Sequence, residues 1–124
     1  MEEKRKFTRI VCKMKTSVRI DNLITVDANN LNISLNGALF ELADYCAVKK
    51  GDNWQLTFVL PNSDIRLQFK TEVIHSKGKM VGVEFERIDT VTMNHMKRLM
   101  ESRTSNPEQI ERELALLYRL NQAI

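Results

Sequence analysis

Glycine and proline are scarce in this chain, four and two in 124 residues, so a long unfolded linker is not expected. No apolar run approaches the ~18 residues that a membrane-spanning helix needs. The charged N-terminus is not followed by an apolar segment, so no signal peptide is expected and the chain is placed in the cytosol. The two cysteines, Cys12 and Cys46, show no metal or redox spacing, and Cys12 falls where a buried thiol is expected. The two histidines, His75 and His95, have no ligand-type residues near them in sequence, so no metal site is expected. Aromatic residues make up 6% and mostly occupy core positions of alternating segments, which disfavours a stacking surface for single-stranded nucleic acid. A nucleophile elbow, a spaced His–carboxylate pair and a glycine-rich phosphate loop are all missing. The expectation is a protein with no catalytic residues, not an enzyme.

What is present is an ordinary globular composition, 43% hydrophobic and 28% charged. One domain of this length buries roughly two thirds of its unfolded surface. The net charge of +3 is unevenly placed. Residues 1–20 hold seven Lys/Arg against two Asp/Glu, a net of +5, which leaves −2 for the rest. An anionic partner near the N-terminus fits this asymmetry, as does a merely solvated arm.

Residues 8–20 alternate with period two. Ile10, Cys12, Met14, Thr16, Val18 and Ile20 face one way, and Val11, Lys13, Lys15, Ser17 and Arg19 the other, as in one half-buried strand. Asp21-Asn22 turns the chain into a second strand over 23–31. The stretch N-I-S-L-N-G at 32–37 interrupts, and a short strand follows over 37–42. A loop over 44–52 turns at Gly51. Two further strands run through Trp54–Leu60 and Ile65–Val73 around a Pro61–Asp64 turn. Lys77-Gly78-Lys79 then leads to a last strand over 80–85. Six strands at hairpin spacing predict a small antiparallel barrel, mainly β, with helices only at the C-terminal end.

After Asp89, a helix cap, Val91, His95, Met96, Leu99 and Met100 recur at helical spacing. Asn106, Pro107 and Gln109 resemble a capping box opening a second helix over 107–123. Ile110, Leu114, Leu117 and Ile124, with Asn121 at one seam position, read as about two heptads. That helix either lies on the barrel or pairs two copies as a homodimer.

Five residues stand out. Arg5 and Arg9, four apart, each present a planar fork that bonds phosphate or a guanine edge bidentately and a face that stacks on a base. Beyond the second strand, Asn32 offers an amide, Ser34 a hydroxyl, and Gly37 the freedom for positive φ or close approach. Singly, the arginines read better as surface residues, and N-I-S-L-N-G as a bulge whose side chains satisfy their own backbone.

Together, R-x-x-x-R at Arg5 and Arg9 and N-x-S-x-x-G at Asn32, Ser34 and Gly37 resemble the PilZ domain family. Leu60-Pro61 and V-G-V-E-F at 81–85 are similar too, so the resemblance covers residues 3–100. It implies a six-stranded β-barrel that receives the bacterial second messenger cyclic di-GMP. Arg5 and Arg9 would clamp phosphates and guanine faces, Asn32 and Ser34 would contact a base, and Gly37 would shape the turn. Lys4, beside the first arginine, sits where the family sets whether one ligand or a stacked pair binds. The expected division is a PilZ-like barrel domain with its arm and first helix at 1–103, and a C-terminal helix at 104–124 that packs or oligomerises. On this reading the chain signals by conformational change to an unidentified protein partner. The alternative is a ligand-independent assembly module that uses the C-terminal helix.

Overall fold

In the computed structural model, residues 7–21 and 24–122 are described, with side chains through 120. Seven strands precede two helices: β1 (Ile10–Val11), β2 (Lys15–Arg19), β3 (Thr25–Ile33), β4 (Gly37–Leu42), β5 (Asn53–Val59), β6 (Arg66–Lys77), β7 (Met80–Phe85), α1 (Thr90–Arg103) and α2 (Pro107–Gln122). Strands β3, β2, β5, β6, β7 and β4 pair antiparallel in that order, and β3–β4 pairing closes the ring into a six-stranded barrel. The extra strand β1 pairs with the C-terminal part of β3.

The predicted first strand is therefore two. Ile10, Cys12, Met14, Thr16 and Val18 are all buried, as the alternation requires. Yet β1 and β2 meet β3 in registers that differ by one residue, Val11 opposite Asn32 and Lys15 opposite Asn29. Residues 12–14 bulge between them. The Asn30 Nδ2 group donates to the Cys12 carbonyl at 2.6 Å and occupies an acceptor that the broken ladder leaves. Burial pushes the Cys12 thiol above its ordinary pKa, in keeping with a core position. Strand β3 also runs two residues further than expected, so the interruption shrinks to residues 34–36. Of the predicted Asp21-Asn22 turn, Asn22 lies outside the described residues.

The barrel interior is filled by Val18, Ile33, Phe40, Leu56, Phe58 and Val73, none more than 0% exposed. Beside them Phe69 and Phe85 stack at 4.1 Å, and Phe58 meets Phe69 edge-on at 5.6 Å. Helix α1 opens on Asp89, whose carboxylate accepts the Thr92 N–H at 2.7 Å. Its inward face is Thr92, Met93, Met96, Leu99 and Met100, while Val91, expected on that face, is 68% exposed. Helix α2 lies on the body of the protein: Ile110 and Leu114 join the core, and Leu116 and Leu117 pack against it. Lys97 of α1 contacts Glu111 of α2 at 2.7 Å. The Gln109 side chain donates to Glu113 at 3.2 Å rather than reaching back to the cap. Asn121 and Ile124, the distal heptad positions, lie outside the described side chains.

The Asp89 carboxyl is held below the usual carboxylate range, first by the Thr92 backbone N–H. A group whose folded pKa is depressed stabilises the fold above its unfolded pKa and loses that contribution as pH falls through the folded one. Asp89→Ala is expected to lower the melting temperature at pH 7, and the gap to wild type is expected to narrow below about pH 4. A gap of equal size at pH 7 and pH 3 in thermal denaturation would contradict this.

Candidate functional site

Cross-strand register places the site. Val11, Asn32, Leu39, Gly82 and His75 pair successively across β1, β3, β4, β7 and β6, forming one lateral row on the outside of the barrel. The adjacent row of Ile10, Ile33, Ala38, Val83 and Val73 faces the core. Two register shifts bring this about, one in β3 between Asn30 and Asn32 and one in β6 between Val73 and His75. Each bulge re-aims the residue that follows it.

Above the row lies a cleft of about 250 Å³ whose lining includes Phe7, Arg9, Asn32, Ser34, Asn36, Gly37, Ile74, His75, Gly82 and Glu84. Arg9, Asn32, Ser34 and Gly37, drawn from two distant stretches of sequence, thus share one cavity. Arg9 is exposed and lies one residue before β1, on the same side of the chain as outward-facing Val11. Arg5 and Lys4 lie outside the described residues.

The corner at 34–36 is internally bonded. The Ser34 hydroxyl donates to Asn36 Oδ1 at 2.8 Å and accepts the Asn36 N–H at 3.3 Å, while the Ser34 N–H donates to the Gly37 carbonyl at 2.9 Å. The Asn36 carbonyl accepts the Phe85 N–H at 2.8 Å and pins the corner to β7. Leu35, wholly buried, anchors it from beneath. Ser34 is only 4% exposed, so its side chain organises the corner as well as lining the cleft.

The two glycines of the cleft do different things. Gly37 does not have positive φ; among the described glycines only Gly51 and Gly78 do. Its constraint is space: a Cβ there would lie 2.4 Å from the Val83 carbonyl oxygen, so only glycine lets β4 and β7 pair this closely. At Gly82 a Cβ would lie 2.6 Å from His75 Nε2, so the imidazole rests over the glycine. His75, Gly82, Asn36 and Glu84 are site residues that the sequence reading did not assign. The signal for His75 and Gly82 was their pairing, hidden because the bulge shifts the hairpin register.

With this geometry in hand, comparison with known proteins is decisive. A PilZ domain profile matches residues 3–102. The chain belongs to the PilZ family. Its fold is similar to the PilZ domain of YcgR from Escherichia coli, solved with c-di-GMP, at 14% identity and TM-score 0.70, covering 91% of this chain and 98% of that one. It is also similar to the PilZ domain of CeSA from a cellulose-synthesising bacterium, at 16% identity and TM-score 0.61, covering 74% and 93%. Inhibitor of motility MotI/DgrA from Bacillus subtilis matches at 16% identity and TM-score 0.66, covering 82% of this chain and 54% of that one, so this PilZ chain spans about half of it. No curated protein matches in sequence. Among the described residues no helix is long and apolar enough to cross a membrane, and no cluster of three metal-ligating side chains occurs.

The glycine geometries predict unequal costs. Gly37→Ala presses on backbone and is expected to lose about 1–3 kcal/mol in urea denaturation. Gly82→Ala presses on a side chain that can rotate away, so it is expected to cost under about 1 kcal/mol while shifting the His75 ring resonances. The reverse order of cost would contradict this account of the cleft.

Proposed function

We propose that this PilZ domain is a cytosolic receptor for cyclic di-GMP, bound at the cleft between Arg9 and the N-x-S-x-x-G corner. The observation that carries this reading is the convergence of Arg9, Asn32, Ser34 and Gly37 on one cavity. Such a cavity suits a ligand with both phosphate and base. The guanidinium bonds a phosphate through two parallel N–H groups or stacks on a base, and Asn32 both donates and accepts at a base edge. His75 adds a flat aromatic face, and Glu84, paired with Gly37, an acceptor. At about 250 Å³ the cleft lies below the ~300–1,000 Å³ of sites that enclose a drug-sized ligand. A dinucleotide therefore needs a further cover, and Arg5 on the preceding arm supplies it, with Lys4 beside it setting how many ligands stack.

Residues 1–103 form the receptor on this reading, and 104–124 add a helix through which occupancy reaches a partner protein. The docked face of α2, with Ile110 and Leu114 in the core, favours packing over a homodimer built on that face.

Calorimetric titration with cyclic di-GMP, run beside GTP and cyclic GMP, tests the reading. The cyclic dinucleotide is expected to bind in preference to both. Arg9→Ala is expected to weaken it about ten- to a hundredfold, the loss of a charge-assisted bond of roughly 1.5–3 kcal/mol. Equal affinity of wild type and variant would remove the arginine from the mechanism.

A further inference from the structure

Helix α2 begins beyond the residues that the PilZ profile matches, yet it reaches the arm. The Glu113 carboxylate accepts the Thr8 N–H at 2.8 Å through Oε1 and the Thr8 hydroxyl at 2.5 Å through Oε2. Thr8 is bonded neighbour to Arg9, and Phe7, on its other side, is buried and lines the cleft. Among the described residues Glu113 is the only buried charged side chain, 3% exposed.

A carboxylate is costly to bury unless donors surround it. Here Thr8 supplies two and Gln109 a third at 3.2 Å. Thr8 itself is half-buried and could turn to water, so its own groups do not demand this acid. Helix packing does not demand it either, since Ile110 and Leu114 supply the apolar contact on either side. What the clasp determines is the position of the chain at Thr8, and with it the direction in which Arg9 leaves the barrel.

We propose that Glu113 is a positioning residue for the ligand: by holding Thr8 it presets Arg9 at the cleft, so that docking of α2 and occupancy of the cleft reinforce each other. This rests on the reading of the cleft as a cyclic di-GMP site. Linkage makes the effect reciprocal: whatever α2 docking contributes to ligand affinity, ligand returns to α2 docking.

The test uses the full chain. Calorimetry with cyclic di-GMP is expected to give binding about tenfold weaker for Glu113→Gln and about threefold weaker for Thr8→Val, which leaves α2 untouched. The double variant is expected to match Glu113→Gln alone, because both changes break one clasp. Amide exchange at residues 110–117 is expected to slow on adding cyclic di-GMP by more than exchange in β5 and β6, and this excess is expected to vanish in Glu113→Gln. If wild type binds and both single variants bind equally well, with no excess protection in α2, the clasp is only structural and the proposal fails while the receptor reading stands. If wild type does not bind cyclic di-GMP, both fail together.

Discussion

The pairing of β4 against β3 on one side and β7 on the other is the constraint on which this molecule depends. It closes the barrel, and it does so at the corner that carries the cleft. Gly37 permits the approach to β7, the bulge at Leu31 sets Asn32 outward, and the buried Leu35 fixes the turn between. Residue types that weaken a strand in isolation become useful here. A bulged, glycine-bearing crossing is what leaves a polar recess on a surface otherwise covered by side chains.

Much of this fold was legible in one dimension, for a specific reason. Inward positions of a small barrel alternate, and the chain obeys that rule from Ile10 to Val18, from Trp54 to Phe58 and from Leu67 to Val73, with Val81, Val83 and Phe85 inward again after the bulge in β6. The break between β1 and β2 was not legible, because inward positions keep their alternation across the bulge at 12–14. Only the partner strand reveals the change of register, through Asn30 and the Cys12 carbonyl. The lesson at His75 is similar. A lone histidine in a polar hairpin carries no mark of a site until Gly82 is known to lie opposite it.

The grouping of Arg9 with Asn32, Ser34 and Gly37 was anticipated from motif order, but Ser34 has a second task. Its hydroxyl holds the corner that the motif belongs to, so the stretch bonds its own backbone while the same residues line the cleft. Glu113 is the opposite case. An acid between Ile110 and Leu114 gives no hint of burial in the sequence, and its partner lies 105 residues away. Helix α2 was expected either to pack or to pair; its Ile110 and Leu114 lie in the core, and it carries there a carboxylate bonded both to Thr8 and to Gln109 of its own first turns.

Taken together, these features describe an internally bonded corner, Arg9 beside it, and an appended helix holding Thr8 next to that arginine. Backbone and side-chain amide shift mapping during titration with cyclic di-GMP tests this most directly. The account predicts that the largest changes fall on Arg9, on residues 32–37 and on the His75–Gly82 pair, with smaller ones at Thr8 and along α2. Changes centred elsewhere, for instance on the groove between β6 and the start of α1, or no changes at saturating ligand, would contradict it.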